Sequence, residues 1–263
     1  MARVCPLFSG SAGNCVYVGT GEHGILVDAG VSAKRIENSL VSRNIDPKSI
    51  SAVFITHEHS DHISGLRVFA GRYGMKIYAS KGTLSSLVKS GHADSSMSLN
   101  IINGKTVCES DMQIRSFKTS HDSAESFGYV IETPDDRKIA VSTDLGVITE
   151  DVLYNICGCD MVVLESNHDV AMLSSGPYPY YLKRRILSNF GHLSNDACAA
   201  VLPALVSGGA TRFILAHLSR ENNLPELAYE TAVAELNHYG MDAGEDYILS
   251  VASPECLEKV TVF

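Results

Sequence analysis

Short apolar runs bounded by turn residues alternate along this chain with longer stretches of helical period. The runs predict strands over Val16–Val18, Gly24–Asp28, Ala52–Thr56, Lys76–Ala79 and Gln113–Thr119 in the first half. Further strands are predicted over Phe127–Glu132, Lys138–Thr143, Met161–Glu165, Phe213–Ala216 and Tyr247–Val251. Helices fit between them. Ile63, Leu66, Ala70 and Tyr73 recur at spacings of three and four, with Gly74 as a stop. Leu224, Leu227, Ala228, Ala232, Leu236 and Tyr239 make a second helical face, opened by Pro225 and closed by Gly240. A third helix is expected after Ser194, where Pro203 either kinks or ends it. Strands with hairpin spacing dominate the first half and helices interrupt both halves. That pattern predicts an α/β chain, either two packed sheets with helices outside or another α/β layering. No linker, low-complexity tract or fixed-period repeat divides residues 1–263, so one domain is expected.

Composition narrows the function classes. Of 263 residues 45% are apolar and 19% charged, which excludes a disordered chain. No apolar stretch approaches the length of a membrane span, so no membrane partner is expected. After Arg3 only Val4 to Phe8 precede Ser9-Gly10, too short an apolar region for a signal peptide, and a cytoplasmic location is expected. Seven cysteines, an odd number in a chain this long, do not suggest a disulfide framework. A net charge of -9 argues against binding nucleic acid through global charge while leaving room for a local basic patch.

The histidines change the picture. His57-Glu58-His59-Ser60-Asp61-His62 follows directly on the apolar run Ala52–Thr56. Packing accounts for the strand and gives no reason for the polar cluster after it. Imidazole with carboxylate suits zinc, manganese or iron, and the lack of thiolate argues against a structural zinc finger. The bland alternative is a solvated, His-rich turn. Single polar residues close three other apolar strands: His121 after Phe117–Ser120, Asp144 after Ile139–Thr143, and His217 after Phe213–Ala216. Each alone reads as a loop residue; four repetitions of strand-then-ligand read as a metal site.

His57, His59, Asp61 and His62 spell the His-x-His-x-Asp-His motif and resemble the metallo-β-lactamase fold superfamily of hydrolases. His121, Asp144 and His217 match that superfamily's later ligands in order. The resemblance implies an αββα fold of two packed sheets with helices on the outer faces. An Asp at 144, where true lactamases commonly carry Cys, resembles the phosphodiesterase, ribonuclease and glyoxalase branches. Nearly end to end, the chain is similar to the bacterial YycJ/WalJ family. The carrying strings are Ser9-Gly10-Ser11-Ala12-Gly13-Asn14, Thr119-Ser120-His121-Asp122, Ser142-Thr143-Asp144-Leu145-Gly146 and Glu165-Ser166-Asn167-His168-Asp169. Gly191-His192-Leu193-Ser194-Asn195 and the run from His217 to Asn223 carry it further. The family is described as metal-dependent 5′-to-3′ exonucleases tied to DNA repair, which implies a DNA substrate with a 5′ end.

On this pattern one divalent ion takes His57, His59 and His121, a second takes Asp61, His62 and His217, and Asp144 bridges. Two such ions, zinc or manganese, generate a hydroxide nucleophile near neutral pH and clamp an in-line displacement. Their charge also makes a phosphodiester compatible with an acidic chain. Asp61 is the candidate for orienting the hydroxide. His192 is the candidate acid, since a His in a similar string acts in acid catalysis in related tRNA-processing nucleases; the alternative is a satisfied His near a helix cap. Asn167, His168 and Ser194 are candidate substrate contacts, as are Ser11 and Asn14 in the Gly/Ser turn, which only the family match lifts above an ordinary hairpin loop. Pro177–Tyr181 beside Lys183, Arg184 and Arg185 reads either as a stacking surface for single-stranded nucleic acid or as a solvated basic helix face. Cys157-Gly158-Cys159 lacks partner cysteines for a zinc site, and His23, His92 and His238 read as surface residues. A glyoxalase-II-like thioesterase or cyclic phosphodiesterase would use the same ligands, and a metal-stabilised regulatory scaffold is the reading from another class.

Overall fold

In a computed structural model of the chain, which describes residues 1–254 and 259–263, fourteen strands form two seven-stranded sheets. In chain order they are β1 (Arg3–Phe8), β2 (Cys15–Gly19), β3 (Gly24–Val27), β4 (Ile50–Phe54), β5 (Lys76–Ala79), β6 (Ser98–Ile101) and β7 (Val107–Glu109). Then come β8 (Met112–Lys118), β9 (Phe127–Glu132), β10 (Lys138–Ser142), β11 (Met161–Glu165), β12 (Arg212–Ala216), β13 (Ile248–Val251) and β14 (Thr261–Val262). One sheet has the order β14-β1-β2-β3-β4-β5-β6, the other β13-β12-β11-β10-β9-β8-β7. Helices α1 (Ala33–Val41), α2 (Ser60–Ile63), α3 (Leu66–Tyr73) and α4 (Lys81–Lys89) follow the first sheet's strands. The second sheet is followed by α5 (Glu150–Ile156), α6 (Val170–Ser175), α7 (Tyr180–Ile186), α8 (Asn195–Ala199), α9 (Leu202–Ser207) and α10 (Pro225–His238).

Period-2 alternation decides the layering. On β4, Ala52 and Phe54 face the other sheet, where they join Tyr129, Ile139, Val141 and Val163 in a shared core. Val53 and Ile55 point the other way, against Ile36 and Leu40 of α1 and Phe69 of α3. On the second sheet Ala140, Val162, Leu164, Phe213 and Leu215 face outward onto α5, α8, α9 and α10. Both faces of each sheet are therefore covered, which is why the central strands read as continuous apolar runs. The result is the expected αββα arrangement. β3 to β6 pair in parallel, as do β10 to β13. Parallel strands end at the same edge, and at that edge the polar residues collect. Among the described residues no helix is long and apolar enough to cross a membrane.

Some elements differ from the expectation. The helix expected through Ile63, Leu66, Ala70 and Tyr73 is broken at Gly65, where a Cβ would lie 1.9 Å from the Val31 carbonyl oxygen. The helix expected after Ser194 ends at Ala199, four residues before Pro203, and Pro203 opens a new one by occupying the first turn of α9, where its missing N–H costs nothing. The buried face of α10 is narrower than predicted: Ala228, Ala232 and Leu236 are buried while Leu224 and Tyr239 are exposed. His92 is half-buried, its Nδ1 3.0 Å from Ser90 Oγ, whereas His23 and His238 are exposed.

Candidate metal centre

Strand ends place the site. β4 delivers Thr56 and His57; His59 then caps α2, which carries Asp61 and His62 in its single turn. His121 follows β8, Asp144 follows β10, Glu165 closes β11 and His217 follows β12. Asp28 follows β3 in the same way. Asp28, Asp144 and His217 all adopt left-handed backbone, with φ of 64°, 56° and 57°, which turns each side chain into the seam between the sheets. α2 packs against Gly30 so tightly that a Cβ there would lie 1.7 Å from the Asp61 carbonyl oxygen.

Two nests of ligand atoms result. The His57 ring lies 4.2 Å from that of His62, 4.5 Å from that of His59 and 4.8 Å from that of His121. His121 Nε2 is 3.3 Å from His59 Nδ1. His57, His59 and His121 thus converge on one point, and Asp61, His62 and His217 on another. Asp144 lies between, with Oδ2 3.1 Å from His62 Nε2 and Oδ1 3.4 Å from His217 Nδ1. His57 and His62 form a group with it, as do Glu165, His192 and His217.

Outer hydrogen bonds decide which ring nitrogen faces inward. His62 donates Nδ1–H to Asp28 Oδ2 at 2.7 Å, and Thr56 holds that carboxylate through its N–H (2.8 Å) and hydroxyl (2.9 Å). Since the Thr56 hydroxyl donates to Asp28, it accepts from His57 Nδ1–H at 3.0 Å. His121 donates Nδ1–H to the Gly191 carbonyl at 3.0 Å, and His217 donates Nδ1–H to Glu165 Oε1 at 2.8 Å. Four histidines are therefore held with Nε2 presenting a lone pair to the centre, the arrangement that orients metal ligands. His57 Nε2, His217 Nε2 and Asp144 Oδ2 are buried without a hydrogen-bond partner. Such orphaned atoms at one point, in a set of imidazoles and carboxylates without thiolate, fit divalent metal ions.

The electrostatics agree. Burial raises the Asp144 carboxyl, but the facing His217 and His62 imidazoles outweigh it and hold the group well below the usual range. Burial likewise opposes ionisation of Asp61, and the facing His217 and His62 imidazoles carry it far down. Glu165 is held at about 2 because His192 and His217 overcome its desolvation. Burial lowers His217, yet Asp144, Asp61 and Glu165 together lift it to about 10. Burial, reinforced by the neighbouring His62, keeps His57 well below its ordinary value. The centre thus carries ionised carboxylates whose charge cations complement.

A cavity of about 380 Å³ opens over this floor of Asp61, Asp144 and His217, walled by Tyr178, Leu182, Arg185 and Ile186. The seven residues expected as ligands all converge beneath it. His192 lines it too, its Nδ1 2.8 Å from Glu165 Oε1 and its ring 5.1 Å from His121 and 5.3 Å from His217. The expected substrate contacts scatter. Ser11 is exposed on the cavity wall, and Asn167 lines it while donating its amide to the His217 carbonyl at 2.8 Å. Asn14 is buried, with its amide nitrogen 3.1 Å from His62 Nε2 and 3.4 Å from Asp61 Oδ2. Ser194 Oγ caps α8 by accepting from the Ala197 N–H. His168 is fully buried and neither ring nitrogen is hydrogen-bonded. Sequence reasoning missed Asp28, Thr56 and Glu165. The available signal was a carboxylate closing a wholly buried apolar strand, as Glu165 closes β11.

Residues 23–218 match the beta-lactamase superfamily domain. The chain is 38% identical over 258 residues to the exodeoxyribonuclease WalJ of Streptococcus pneumoniae serotype 2, covering 97% of this chain and 96% of that protein. It is 37% identical over 257 residues to the exodeoxyribonuclease YycJ of Bacillus anthracis, with the same coverage. In structure it is similar to the metallo-beta-lactamase fold protein YhfI from Bacillus subtilis, with a TM-score of 0.71 at 16% identity and 97% of both chains covered.

Proposed function

Since the chain belongs to the beta-lactamase superfamily and, within it, to the family of the exodeoxyribonucleases WalJ and YycJ, we propose that it is a dinuclear metal-dependent exodeoxyribonuclease. His57, His59 and His121 would hold one divalent ion, and Asp61, His62 and His217 the other, with Asp144 available to both. When bound, zinc or manganese at these positions supplies Lewis acidity and a water activated near neutral pH. Degradation from a 5′ end is part of the proposal and rests on the family resemblance.

The observation that carries the reading is the pairing of His192 with Glu165. A thioesterase releases a thiolate, a weak base that needs little protonation, whereas a phosphodiesterase releases a far more basic sugar alkoxide. His192 donates Nδ1–H to a carboxylate that the surrounding imidazoles hold ionised, and it lines the cavity beside the metal nests. An imidazole fixed in this way delivers a proton to the leaving oxygen. Asp61, ionised and partly open to the cavity, orients the attacking water. Asn14 positions Asp61, while Ser11, Asn167, His168 and Ser194 border or support the substrate's path. A lactamase is disfavoured by Asp144 itself.

The test is to incubate metal-reconstituted protein with 5′-phosphorylated single- and double-stranded DNA, RNA and a model thioester. The proposal expects stepwise release of nucleotides from DNA 5′ ends and its loss in Asp61→Ala. Rapid thioester cleavage with no DNA turnover in either zinc or manganese overturns it.

A further inference from the structure

Resting on the nuclease reading, we propose that α7 is a strand guide whose paired tyrosine–arginine rows hold unpaired nucleotides on their way to the metal centre. α7 reads Tyr180-Tyr181-Leu182-Lys183-Arg184-Arg185-Ile186, with three consecutive cations and no acid. Residues four apart on a helix lie one above the other. Tyr180 and Arg184 therefore share one row of the helix and Tyr181 and Arg185 the next, and of these four Arg185 lines the cavity. The Arg184 guanidinium sits 6.0 Å from the Tyr180 ring centroid. Tyr180 is 76% exposed, Tyr181 75% and Phe190, just past the helix, 61%. Large rings left in water beside cations, in a chain of net charge -9, match the chemistry that holds a single strand: bases stack on the rings and phosphates follow the positive charge.

The guide is built onto the metal centre. Arg185 is fixed to Asp122, with Nε 2.5 Å from Oδ2 and Nη2 2.9 Å from Oδ1, and Asp122 directly follows the ligand His121. This leaves Arg185 Nη1 without a hydrogen bond among the described residues, on the wall of the cavity, in position for a phosphate oxygen. Past α7, the Phe190 carbonyl accepts from Asp122 N–H at 3.0 Å and the Gly191 carbonyl accepts from His121 Nδ1–H at 3.0 Å. Behind α7, Lys183 Nζ donates to the Ser174 carbonyl at 2.7 Å. A strand lying along Tyr181 and Arg185 is thus held in fixed register with Asp61, Asp144 and His192.

Steady-state kinetics of the metal-loaded protein test the guide, comparing a single-stranded oligodeoxynucleotide of about ten nucleotides with a dinucleotide; a site of that length is ordinary for strand-tracking grooves. The double variant Tyr180→Ala/Tyr181→Ala is expected to raise KM for the longer substrate about 30-fold, the loss of two base–ring stacks. Its preference for the longer substrate over the dinucleotide falls by a similar factor. Tyr180→Phe/Tyr181→Phe restores both, since the ring face is kept. Arg184→Ala makes the slope of log affinity against log salt shallower by about 0.7, one phosphate contact on a single strand. An unchanged KM in the Ala double variant overturns the guide and leaves the nuclease reading standing, as does an equal loss on both substrates. Displacement of the oligonucleotide from wild type by an acidic peptide, with no change in the variant's DNA kinetics, assigns the surface to a protein partner instead. Wild-type protein that cleaves a small phosphodiester but no DNA overturns both readings.

Discussion

Glu165→Gln probes the centre at the point where ligand orientation and acid catalysis meet. Glu165 is fully buried; Oε1 accepts from His192 Nδ1–H and His217 Nδ1–H at 2.8 Å each, and Oε2 accepts from the N–H groups of Leu145 (2.9 Å) and Leu193 (3.3 Å). All four bonds run into the carboxylate, so an amide of the same shape cannot satisfy them. With its NH2 toward Leu145 and Leu193, donors face donors. With its NH2 toward the histidines, both rings must shift their proton to Nε2, and His217 loses the lone pair it offers a metal. The first orientation forfeits two hydrogen bonds to a charged group, roughly 1.5–3 kcal/mol apiece, and the second keeps them only by taking from His217 the lone pair it offers a metal. Loss of such an outer partner lowers metal affinity about 10–100-fold, and disorienting His192 removes an acid worth about 100-fold or more in rate. Metal stoichiometry by elemental analysis, competition with a chromogenic chelator and kcat on 5′-phosphorylated DNA read these out together. A Gln variant with full metal occupancy, unchanged chelator competition and wild-type kcat would refute the shared role of Glu165.

Three further outcomes follow from the same geometry. His192→Ala lies outside the two ligand nests, so it should retain both metals while kcat on DNA falls about 10²–10⁴-fold; parallel loss of metal would show His192 to be a ligand. Asp28→Asn removes the carboxylate that holds His62 Nδ1–H, and metal affinity should fall about 10–100-fold with little change in the fold's spectrum, measured by isothermal titration. His168 supplies a pH prediction: burial lowers its imidazole to about 4, so between pH 4 and about 6.5 the unfolded chain binds a proton that the folded chain refuses. Its neutral form lets stability hold above about pH 6.5 and costs up to roughly 3 kcal/mol as pH falls to 4. Urea midpoints of His168→Asn should fall less steeply than wild type across that window, and parallel curves would sink the assignment.

The sequence was most legible where one residue's environment is fixed by its own strand. β4, β10, β11 and β12 are buried on both faces, so their apolar runs and the polar residues that end them stand out without knowledge of neighbours. Edges were harder. β6 reads Ser-Leu-Asn-Ile with no fully buried residue, β7 spans three residues and β14 two; pairing, not composition, makes these strands. β1 is masked by Pro6, which sits where its register to β2 shifts between Pro6 and Phe8. The same distinction runs through the site. Ligands announce themselves by spacing, as in His57 to His62, but Asp28 meets His62 and Glu165 meets both His192 and His217 only because the two sheets close on each other. Asn14 and Ser194 sit in motif strings that suggest substrate, and the fold spends one on Asp61 and the other on a helix cap.

The backbone at the strand ends shows which demand prevails where stability and site conflict. Asp28, Asp144 and His217 occupy left-handed conformations that cost an L-residue roughly 1–2 kcal/mol each. Glycine would relieve that cost, and Gly74 does so at the end of α3 with φ 63°. At Asp28 the relief is outweighed: the carboxylate accepts from Thr56 N–H, the Thr56 hydroxyl and His62 Nδ1–H, and each bond to a buried charge contributes about 1.5–3 kcal/mol. At Asp144 and His217 the return from the protein is incomplete: His217 Nδ1–H reaches Glu165 Oε1, but Asp144 Oδ2 and His217 Nε2 are left without hydrogen-bond partners. Strain combined with unsatisfied buried donors and acceptors is stable only if something else completes the contacts, and at these two positions the chemistry of the atoms calls for a cation. Left-handed backbone combined with an orphaned buried ligand atom therefore marks the metal positions Asp144 and His217, whereas at Asp28 the same backbone serves a carboxylate whose bonds the protein itself completes.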